Sequence, residues 1–370
     1  MTSKKSGPFI RRKRGRMMRC VRMFCYGSAF FLISINNASA EDKNSGDDTP
    51  LVMASDFDLS TTSGPPDFER PPDMPASQPL LPNGLDLAQL TQTPPSLLPP
   101  SVQGPHLSPS PQPTDPDGRY HSLGSRIMAV KWEALGLFAY VTAAQTYWTH
   151  DTTSFHFKDE GWFGRDTTNL GIDKLTHAFN AYLITEFLGA RIGKRTGDRK
   201  AAALPAALLS TGVMFYGELW DAHKTDSGFS MQDLTFNTLG AAFSVLRHNV
   251  PGLEDKLDFR LLMMPNSQIY TFKGKRHYEQ QRFLLSLELA GFRQFRNSPL
   301  RFIELQVGYR GRHFSNAERA AGVIPDRDIF FGVSLNIKEL FFKNSRSKLG
   351  RAVASGLNYL QLPYTGVYKY

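Results

Sequence analysis

The sequence predicts an α+β protein, a four-helix bundle-like domain followed by a small antiparallel β-sheet with an amphipathic C-terminal helix. Two patterns carry this prediction, because apolar residues recur at helical spacing over 127–247 and at alternate positions after Pro251. A third observation is that the preceding proline-rich stretch shows neither pattern. The predicted segments are a signal peptide (1–40), a disordered Pro-rich acidic linker (41–120), a helical domain (121–250) and a strand region with the C-terminal helix (251–370).

The first forty residues are typical of a secretory signal peptide. Nine basic residues are followed by an apolar run at 23–35 and a small-residue motif at 38–40, which predicts cleavage before Glu41. An uncleaved inner-membrane anchor is the alternative, but a run of about thirteen residues is shorter than the roughly twenty that span a bilayer. Cys20 and Cys25 both lie in this segment, so we expect no disulfide and no lipid-anchoring cysteine in the mature chain.

Residues 41–120 are predicted to be a disordered linker. They hold 17 of the 24 prolines, with twelve acidic and three basic residues. Such a composition cannot bury enough apolar surface to offset its ordering entropy. At about 3.1 Å per residue the extended linker reaches on the order of 250 Å, enough to cross a periplasm and contact an envelope protein partner.

The formal net charge of +9 is unevenly distributed. The signal peptide accounts for the whole excess, and the acidic linker leaves residues 121–370 with nine more basic than acidic residues. A basic body outside the cytoplasm favours anionic envelope lipids or lipopolysaccharide as partners and disfavours nucleic acid, which is hard to reach there. A solvated basic face without a partner is the alternative. We therefore expect a periplasmic or outer-membrane-associated protein.

Helical periodicity predicts four helices, at 127–148, 172–192, 200–220 and 231–247. Gly171 and Ser230 precede the second and the fourth, where a helix start tolerates Gly and favours Ser. The third is almost wholly apolar and is either a buried core helix or a shallow membrane helix, and its length favours the core.

Alternating apolar residues predict strands with one apolar face at 283–289, 303–309 and 329–337, and more weakly at 257–263, 268–272 and 367–370. About six strands are fewer than the eight of the smallest outer-membrane barrels, so we expect a small sheet packed on the helices. A basic amphipathic helix is predicted at 338–360, either on a membrane surface or covering the sheet.

Polar residues in the apolar helices are the candidate functional residues. An imidazole near carboxylates can be oriented as a base, bind a metal or belong to a buried network. The candidate catalytic residues are His177, Asp173, Glu218 and Asp221, the candidate ligands of a divalent metal are His177, Asp173 and Glu218, and the polar cluster is completed by Asn180, Asp233 and Asn237.

Each of these residues also has a structural interpretation. Asp173 lies in a first helical turn, where the helix dipole favours an acid, and Asp233 stands three residues after Ser230, at capping-box spacing. His177 alone is more often a hydrogen-bonded core histidine than a ligand. Glu218 ends a long apolar run, where an ionised carboxylate is costly without a partner. We expect Asp173, His177, Glu218 and Asp233 to converge.

Five segments resemble a known family: DEGWFG at 159–164, GIDKLTHA at 171–178, ELWD at 218–221, GFSMQD at 228–233 and NTLG at 237–240. They resemble the YfiM-like predicted periplasmic lipoproteins, domain of unknown function 2279, and are more distantly similar to VanZ-like membrane proteins. The resemblance covers about residues 131–248. It implies a periplasmic location and a helical fold, and it implies no reaction.

Two functions follow from these observations. The first is a non-catalytic envelope protein at the periplasmic face of the outer membrane. The alternative is a metal- or His-dependent enzyme acting on a phosphorylated or lipid-linked envelope substrate, with His177 as base or ligand. The uneven charge distribution and the apolar strand faces favour the first. The sequence contains no nucleophile elbow, phosphate-binding loop, paired-cysteine site or zincin helix that would specify a reaction.

Overall fold

The computed structural model describes residues 118–149, 151–267, 270 and 274–370. The predicted signal peptide, nearly all of the predicted linker and most of the predicted strand at 268–272 lie outside these residues. Helices come first and a sheet follows, in agreement with the predicted α+β class. The helices of the first part are α1 (Leu123–Ala129), α2 (Lys131–Trp148), α3 (Ile172–Thr196), α4 (Lys200–Asp221) and α5 (Met231–Asn249).

The first predicted helix is two helices, because the chain bends by 67° between α1 and α2. The bend lies at Val130, whose side chain is fully buried in the apolar core. The guanidinium of Arg195, on α3, donates a hydrogen bond to the carbonyl oxygen of Ala129. A donor from another helix thus serves a carbonyl that a straight helix would pair internally.

A donor from another helix also replaces the hydrogen bond that is missing at the proline inside α4. Pro205 has no N–H and therefore leaves the carbonyl of Ala201 without its helical donor. Arg126, on α1, donates to that carbonyl at 2.9 Å. The short first helix thereby compensates the proline of its neighbour.

Helix α3 is the central helix and packs against α4, α5 and the sheet. The approach of α5 is close, since a Cβ at Gly240 would lie 1.9 Å from the carbonyl oxygen of Ala178 on α3. Glycine is required at this crossing, which brings the first turns of α5 toward the first turns of α3.

The sheet contains β1 (Leu257–Met263), β2 (Gln281–Glu288), β3 (Ile303–Arg312), β4 (Asp326–Leu335), β5 (Leu360–Gln361) and β6 (Gly366–Lys369). Their order is β5-β1-β2-β3-β4-β6. All neighbours are antiparallel except β1 and β5, which pair in parallel. The expectation of a purely antiparallel sheet was wrong, because after β4 the chain crosses back to the free edge of β1. Short helices α6 (Gly274–Gln280) and α7 (Asn316–Ala320) connect the strands.

The predicted helix at 338–360 was also wrong as a single element. The structure has one π-helical segment, Lys338–Phe342, then α8 (Lys348–Gly356), and then β5. Ser347 begins α8 by accepting a hydrogen bond from the backbone N–H of Gly350. This N-cap begins a new helix after the turn at 343–347, so the basic amphipathic segment is divided between two helical elements.

One face of the sheet, here the polar face, is buried and charged. At its centre Arg260 donates to Asp258 and Glu304, each at 2.7 Å, and also to Glu288. Gln306 joins this network through Ser286 and Gln361. The same face also carries the buried apolar residues Leu262, Leu284 and Phe330, whereas most other apolar residues of the strands point to the opposite face.

That other face is only partly covered. Phe259 and Phe283 pack edge-on against Phe179 of α3 and join the helices to the sheet in one core. Farther along the strands the apolar side chains are 42–82% exposed. We call this surface the apolar face; it consists of Leu285, Leu305, Val307, Ile329, Phe331, Val333, Leu335 and Val367.

Among the described helices, α4 is long and apolar enough to cross a membrane, with half of its most apolar window buried against the rest of the chain. The bent pair of α1 and α2 is long and apolar enough only when the two helices are counted as one segment.

Candidate functional site

Three helix ends form the candidate site. Helix α3 begins after Gly171, which has a left-handed backbone and leaves no room for a Cβ against the ring of Phe163. Helix α5 begins at Ser230, whose hydroxyl accepts from the N–H of Asp233. This is one half of the predicted capping box, and the carboxylate of Asp233 is free to turn toward α3. The third contribution is the last turn of α4, which carries Glu218.

His177 lies at the centre of the site. Its Nδ1 is 3.3 Å from Oδ1 of Asn237 and 3.4 Å from Oε1 of Glu218, while its Nε2 is 3.8 Å from Oδ1 of Asp233. The amide of Asn237 in turn donates to Glu218 at 3.4 Å. The imidazole is only partly buried, whereas Glu218 and Asn237 are almost fully buried.

A buried lysine organises the neighbouring carboxylates. The ammonium of Lys174 lies 2.5 Å from Glu160, 3.0 Å from Asp173 and 2.9 Å from Asp233. Burial disfavours this ammonium, but the three carboxylates outweigh burial and raise the pKa of Lys174. Burial likewise disfavours the charged form of Glu160, and Lys174 reverses that effect and lowers the pKa of Glu160.

Two carboxylates of the site respond in the opposite direction. Burial, reinforced by the negative charges of Asp233 and Asp221, raises the pKa of Glu218 well above its usual range. Burial also raises the pKa of Asp233 to about 6, although His177 and Lys174 pull it down. Near neutral pH the site can therefore hold a proton on Glu218 and exchange one at Asp233.

Asp221 takes part in a separate buried pair. Its carboxylate accepts from the ammonium of Lys224, which also donates to Gln145 at 2.6 Å. Asp221 nevertheless faces the same small cavity as His177 and Glu218. That cavity has a volume of about 40 Å³, and Asn180 forms part of its wall.

The sequence-predicted residues are thus sorted into two neighbouring groups. One ligand atom each of His177, Glu218 and Asp233 lie within 4.8 Å of one another, and the same holds for Glu160, Asp173 and Asp233. Asp173 pairs with Lys174 and belongs to the second group, so the structure does not place it with His177 and Glu218.

Sequence reasoning assigned no role to Lys174 or Glu160, although both lie in the segments that resemble the family. The helical spacing could have indicated the burial of Lys174. It lies three residues before His177 and four before Ala178, on the buried side of α3. A lysine at such a position needs a buried anionic partner.

The comparison with protein families supports the location of the chain. A model described as "Predicted periplasmic lipoprotein (DUF2279)" matches residues 159–249, which include every residue of the His177 and Lys174 groups. The chain is an exported envelope protein, located in the periplasm or associated with the outer membrane. No significant match was found among curated proteins or solved structures.

Proposed function

We propose that this exported protein attaches, without catalysing a reaction, to the periplasmic face of the outer membrane by placing the apolar face of its sheet in the lipid. The observation that carries the proposal is the distribution of residues on the two faces of the sheet. Charged residues are buried on one face, and apolar residues are exposed on the other. Large exposed apolar surfaces on a folded chain are typical of contacts with a partner or a membrane.

The size of the apolar face supports membrane attachment. Ile329, Phe331 and Val367 are 67%, 63% and 82% exposed. Burying a large apolar side chain fully contributes about 1.5–3 kcal/mol, so eight side chains that are roughly half exposed offer on the order of 6–12 kcal/mol before the costs of binding. A single myristoyl chain, with a binding constant of about 10⁴ M⁻¹, already gives reversible membrane binding.

Basic side chains at one end of the apolar face support a preference for anionic lipid. Lys369 pairs with Phe331 across β6 and β4, and Arg327 precedes Ile329 by two positions, so both point to the same side as the apolar residues. Long basic side chains can place their charges at the headgroup level while neighbouring side chains enter the acyl layer. Each such charge contributes about 1 kcal/mol at an anionic surface.

Vesicle flotation tests the proposal. The purified full chain is floated with vesicles of phosphatidylcholine, with or without phosphatidylglycerol, and compared with the double variant Ile329→Asp/Phe331→Asp. The control is Ile324→Asp, because Ile324 is 73% exposed but precedes β4. We expect the wild type and the control to float, most strongly with the anionic lipid, and the double variant to stay in solution.

Two results would contradict membrane attachment. One is flotation of all three proteins to the same extent. The other is a wild type that does not float and that light scattering shows to be a dimer dispersed by the double substitution, because the apolar face would then be covered by a second copy of the chain.

A metal- or His-dependent enzyme acting on a phosphorylated or lipid-linked envelope substrate is the second candidate, and one observation favours it. His177 is the partly exposed member of a buried group that contains Glu218 and Asp233, and such a group can move a proton. Release of phosphate from a soluble polyprenyl diphosphate tests this function. Turnover that His177→Asn abolishes would support the enzyme and contradict the non-catalytic proposal, whereas identical rates in wild type and variant would exclude His177 as the catalytic base.

A further inference from the structure

We infer that His177, Glu218 and Asp233 form a binding site for one divalent first-row metal ion, with Zn²⁺ and Mn²⁺ as the best-suited ions. The inference is independent of membrane attachment and of whether the chain is an enzyme. It depends on the geometry of three side chains from three helices, on a neighbouring cavity and on the charge of the surrounding residues.

The spacing of the three side chains fits a metal. A tetrahedral ion with bonds of about 2.1 Å places its ligand atoms about 3.4 Å apart. In the structure one ligand atom from each of the three residues lies within 4.8 Å of the others, and Nε2 of His177 is 3.8 Å from Oδ1 of Asp233. Small side-chain rotations therefore suffice to bring the three onto one ion.

The hydrogen bonds around His177 indicate which ring nitrogen binds. Nδ1 faces Oδ1 of Asn237 at 3.3 Å and can donate its proton there, which leaves the lone pair of Nε2 for the metal. Metal-binding histidines commonly donate their other N–H to such an oxygen, which orients the ring. Asn237 also donates to Glu218 at 3.4 Å and so holds two of the three ligands.

An unpartnered buried oxygen beside the cluster is the second, independent observation. Asn180 is 3% exposed, and its side-chain oxygen accepts no hydrogen bond from any residue that the structure describes. It lines the cavity of about 40 Å³ whose wall also includes His177 and Glu218. A buried amide oxygen without a donor is costly, and the cavity has room for an ion or its bound water. An amide oxygen can coordinate an ion directly or accept a hydrogen bond from water bound to the ion.

Charge favours a cation at this position rather than at the neighbouring carboxylates. Four carboxylates, those of Glu160, Asp173, Glu218 and Asp233, surround the single ammonium of Lys174, which contacts three of them. The group of Glu160, Asp173 and Asp233 already contains the ammonium of Lys174, whereas the carboxyl group of Glu218 contacts His177 and Asn237. A divalent ion binds the deprotonated form of Glu218, and the ion would balance this charge together with that of Asp233.

The donor types select the class of ion. One imidazole nitrogen with carboxylate and amide oxygens, and no thiolate, suits Zn²⁺ or Mn²⁺. Mg²⁺ and Ca²⁺ prefer sets made of oxygen atoms alone. We expect neither of these two ions to compete with Mn²⁺ at equal concentration.

Calorimetric titration of the tag-free, chelator-treated full chain with Zn²⁺ or Mn²⁺ tests the site. We expect one ion per chain, a loss of affinity of about 100-fold or more in His177→Ala, and a loss of about 10–100-fold in Asn237→Ala through the misoriented imidazole. Glu218→Gln keeps the side-chain size and should weaken binding if the parent fold is retained. The matched control is His248→Ala, because His248 also lies between two carboxylates, those of Glu186 and Glu254.

Three results would overturn the inference. The first is titration without saturable binding at one ion per chain. The second is unchanged affinity in His177→Ala with circular dichroism showing an intact fold. The third is an equal loss in His177→Ala and His248→Ala, which would indicate non-specific surface binding. Should Glu218→Gln not fold, the histidine and asparagine variants still decide the outcome.

Discussion

Lys174 illustrates how one residue determines the charge of the site. Its three carboxylate partners come from the loop before α3, from α3 itself and from α5. Its side chain is 1% exposed, so if the ammonium is removed, water cannot easily reach the three carboxylates and solvate them. Removing one partner of a buried ion group costs more than the group contributes in total, because the remaining charges stay buried and unpaired.

We therefore expect Lys174→Met to lower the free energy of unfolding by about 3–5 kcal/mol, measured by urea denaturation. The control is Lys158→Met. Lys158 approaches the same Glu160 at 4.0 Å, but its side chain is 42% exposed, and an exposed pair contributes about 0–1 kcal/mol. Equal effects of the two substitutions would mean that the carboxylates around Lys174 are neutralised in another way.

His248 and Glu186 give the protein a pH-dependent stability. The hydrogen bond that His248 donates to Glu186 raises the pKa of His248 despite burial, with Arg247 opposing and Glu254 adding to the shift. Burial tends to raise the pKa of Glu186, but the bonds and charges of His248, Arg247 and Ser244 lower it overall. The histidine therefore stabilises the fold fully below its unfolded pKa, and this contribution is lost as pH rises through its higher folded pKa.

The expected result is a larger stability advantage of the wild type over His248→Gln at pH 5.5 than at pH 8.5, from urea unfolding at both values. Below about pH 4.5 the contribution of Glu186 is lost in turn, because protonation of the carboxylate breaks the pair. The matched control is His223→Gln, because the ring of His223 bonds to a backbone carbonyl and not to a carboxylate. A pH-independent difference for His248→Gln would contradict the assignment.

The structure brings His177, Glu218 and Asp233 together as predicted, but it places Asp173 in the neighbouring group of Lys174. Helical spacing predicted Asp173, His177 and Asn180 on one face of α3, and the cost of burying Glu218 indicated that it needed a partner. The side-chain directions that assign Asp173 to Lys174 and Asp233 to both groups depend on contacts between helices, which the spacing within one helix does not contain. The catalytic and metal-binding roles of these residues stay predictions.

At the scale of elements, the crossing of α3 and α5 determines the geometry of the site. Gly240 lies seven residues after Asp233, about two turns along the same helix. Any side chain at Gly240 would push α5 away from the backbone of Ala178 and would carry Asp233 and Asn237 away from His177.

We expect Gly240→Ala to lower the melting temperature by an amount equivalent to about 1–3 kcal/mol, the cost of overpacking a tight contact. The matched control is Gly212→Ala in α4, where a Cβ meets no atom within 4 Å. That substitution should be neutral or stabilising by up to about 1 kcal/mol, because alanine favours a helix. If both variants melt alike, the crossing tolerates a wider separation than the structure has.

The elements that periodicity predicted differ from the structure where other parts of the chain intervene. The starts after Gly171 and Ser230 follow from local chemistry and were found. The bend at Val130 depends on Arg195 from α3, and the parallel pairing of β5 depends on the position of β1. Neither partner is close in sequence, so no local pattern could indicate them.

At the scale of the whole molecule, helices and sheet share one core. Besides the aromatic contacts of Phe179, the hydroxyl of Thr176 donates to Gln281 at 2.8 Å, and Arg247 on α5 pairs with Asp258 on β1. Asp258 also binds Arg260, so the charged network of the sheet extends into the helical part. These contacts predict that the described residues unfold as one cooperative unit.

Arg260→Met tests this cooperativity, because the substitution lies in the sheet while all four tryptophans lie in the helical half of the chain, at 132, 148, 162 and 220. Arg260 pairs with Asp258, Glu288 and Glu304, and its loss should cost about 3–5 kcal/mol. We expect the urea midpoint of the tryptophan fluorescence to fall accordingly. The control Arg312→Met, which removes a 41%-exposed arginine paired with Asp326, should shift it little. An unshifted tryptophan midpoint in Arg260→Met, combined with loss of strand signal by circular dichroism, would show that the sheet unfolds separately and that its apolar face can be rearranged without disturbing the His177 site.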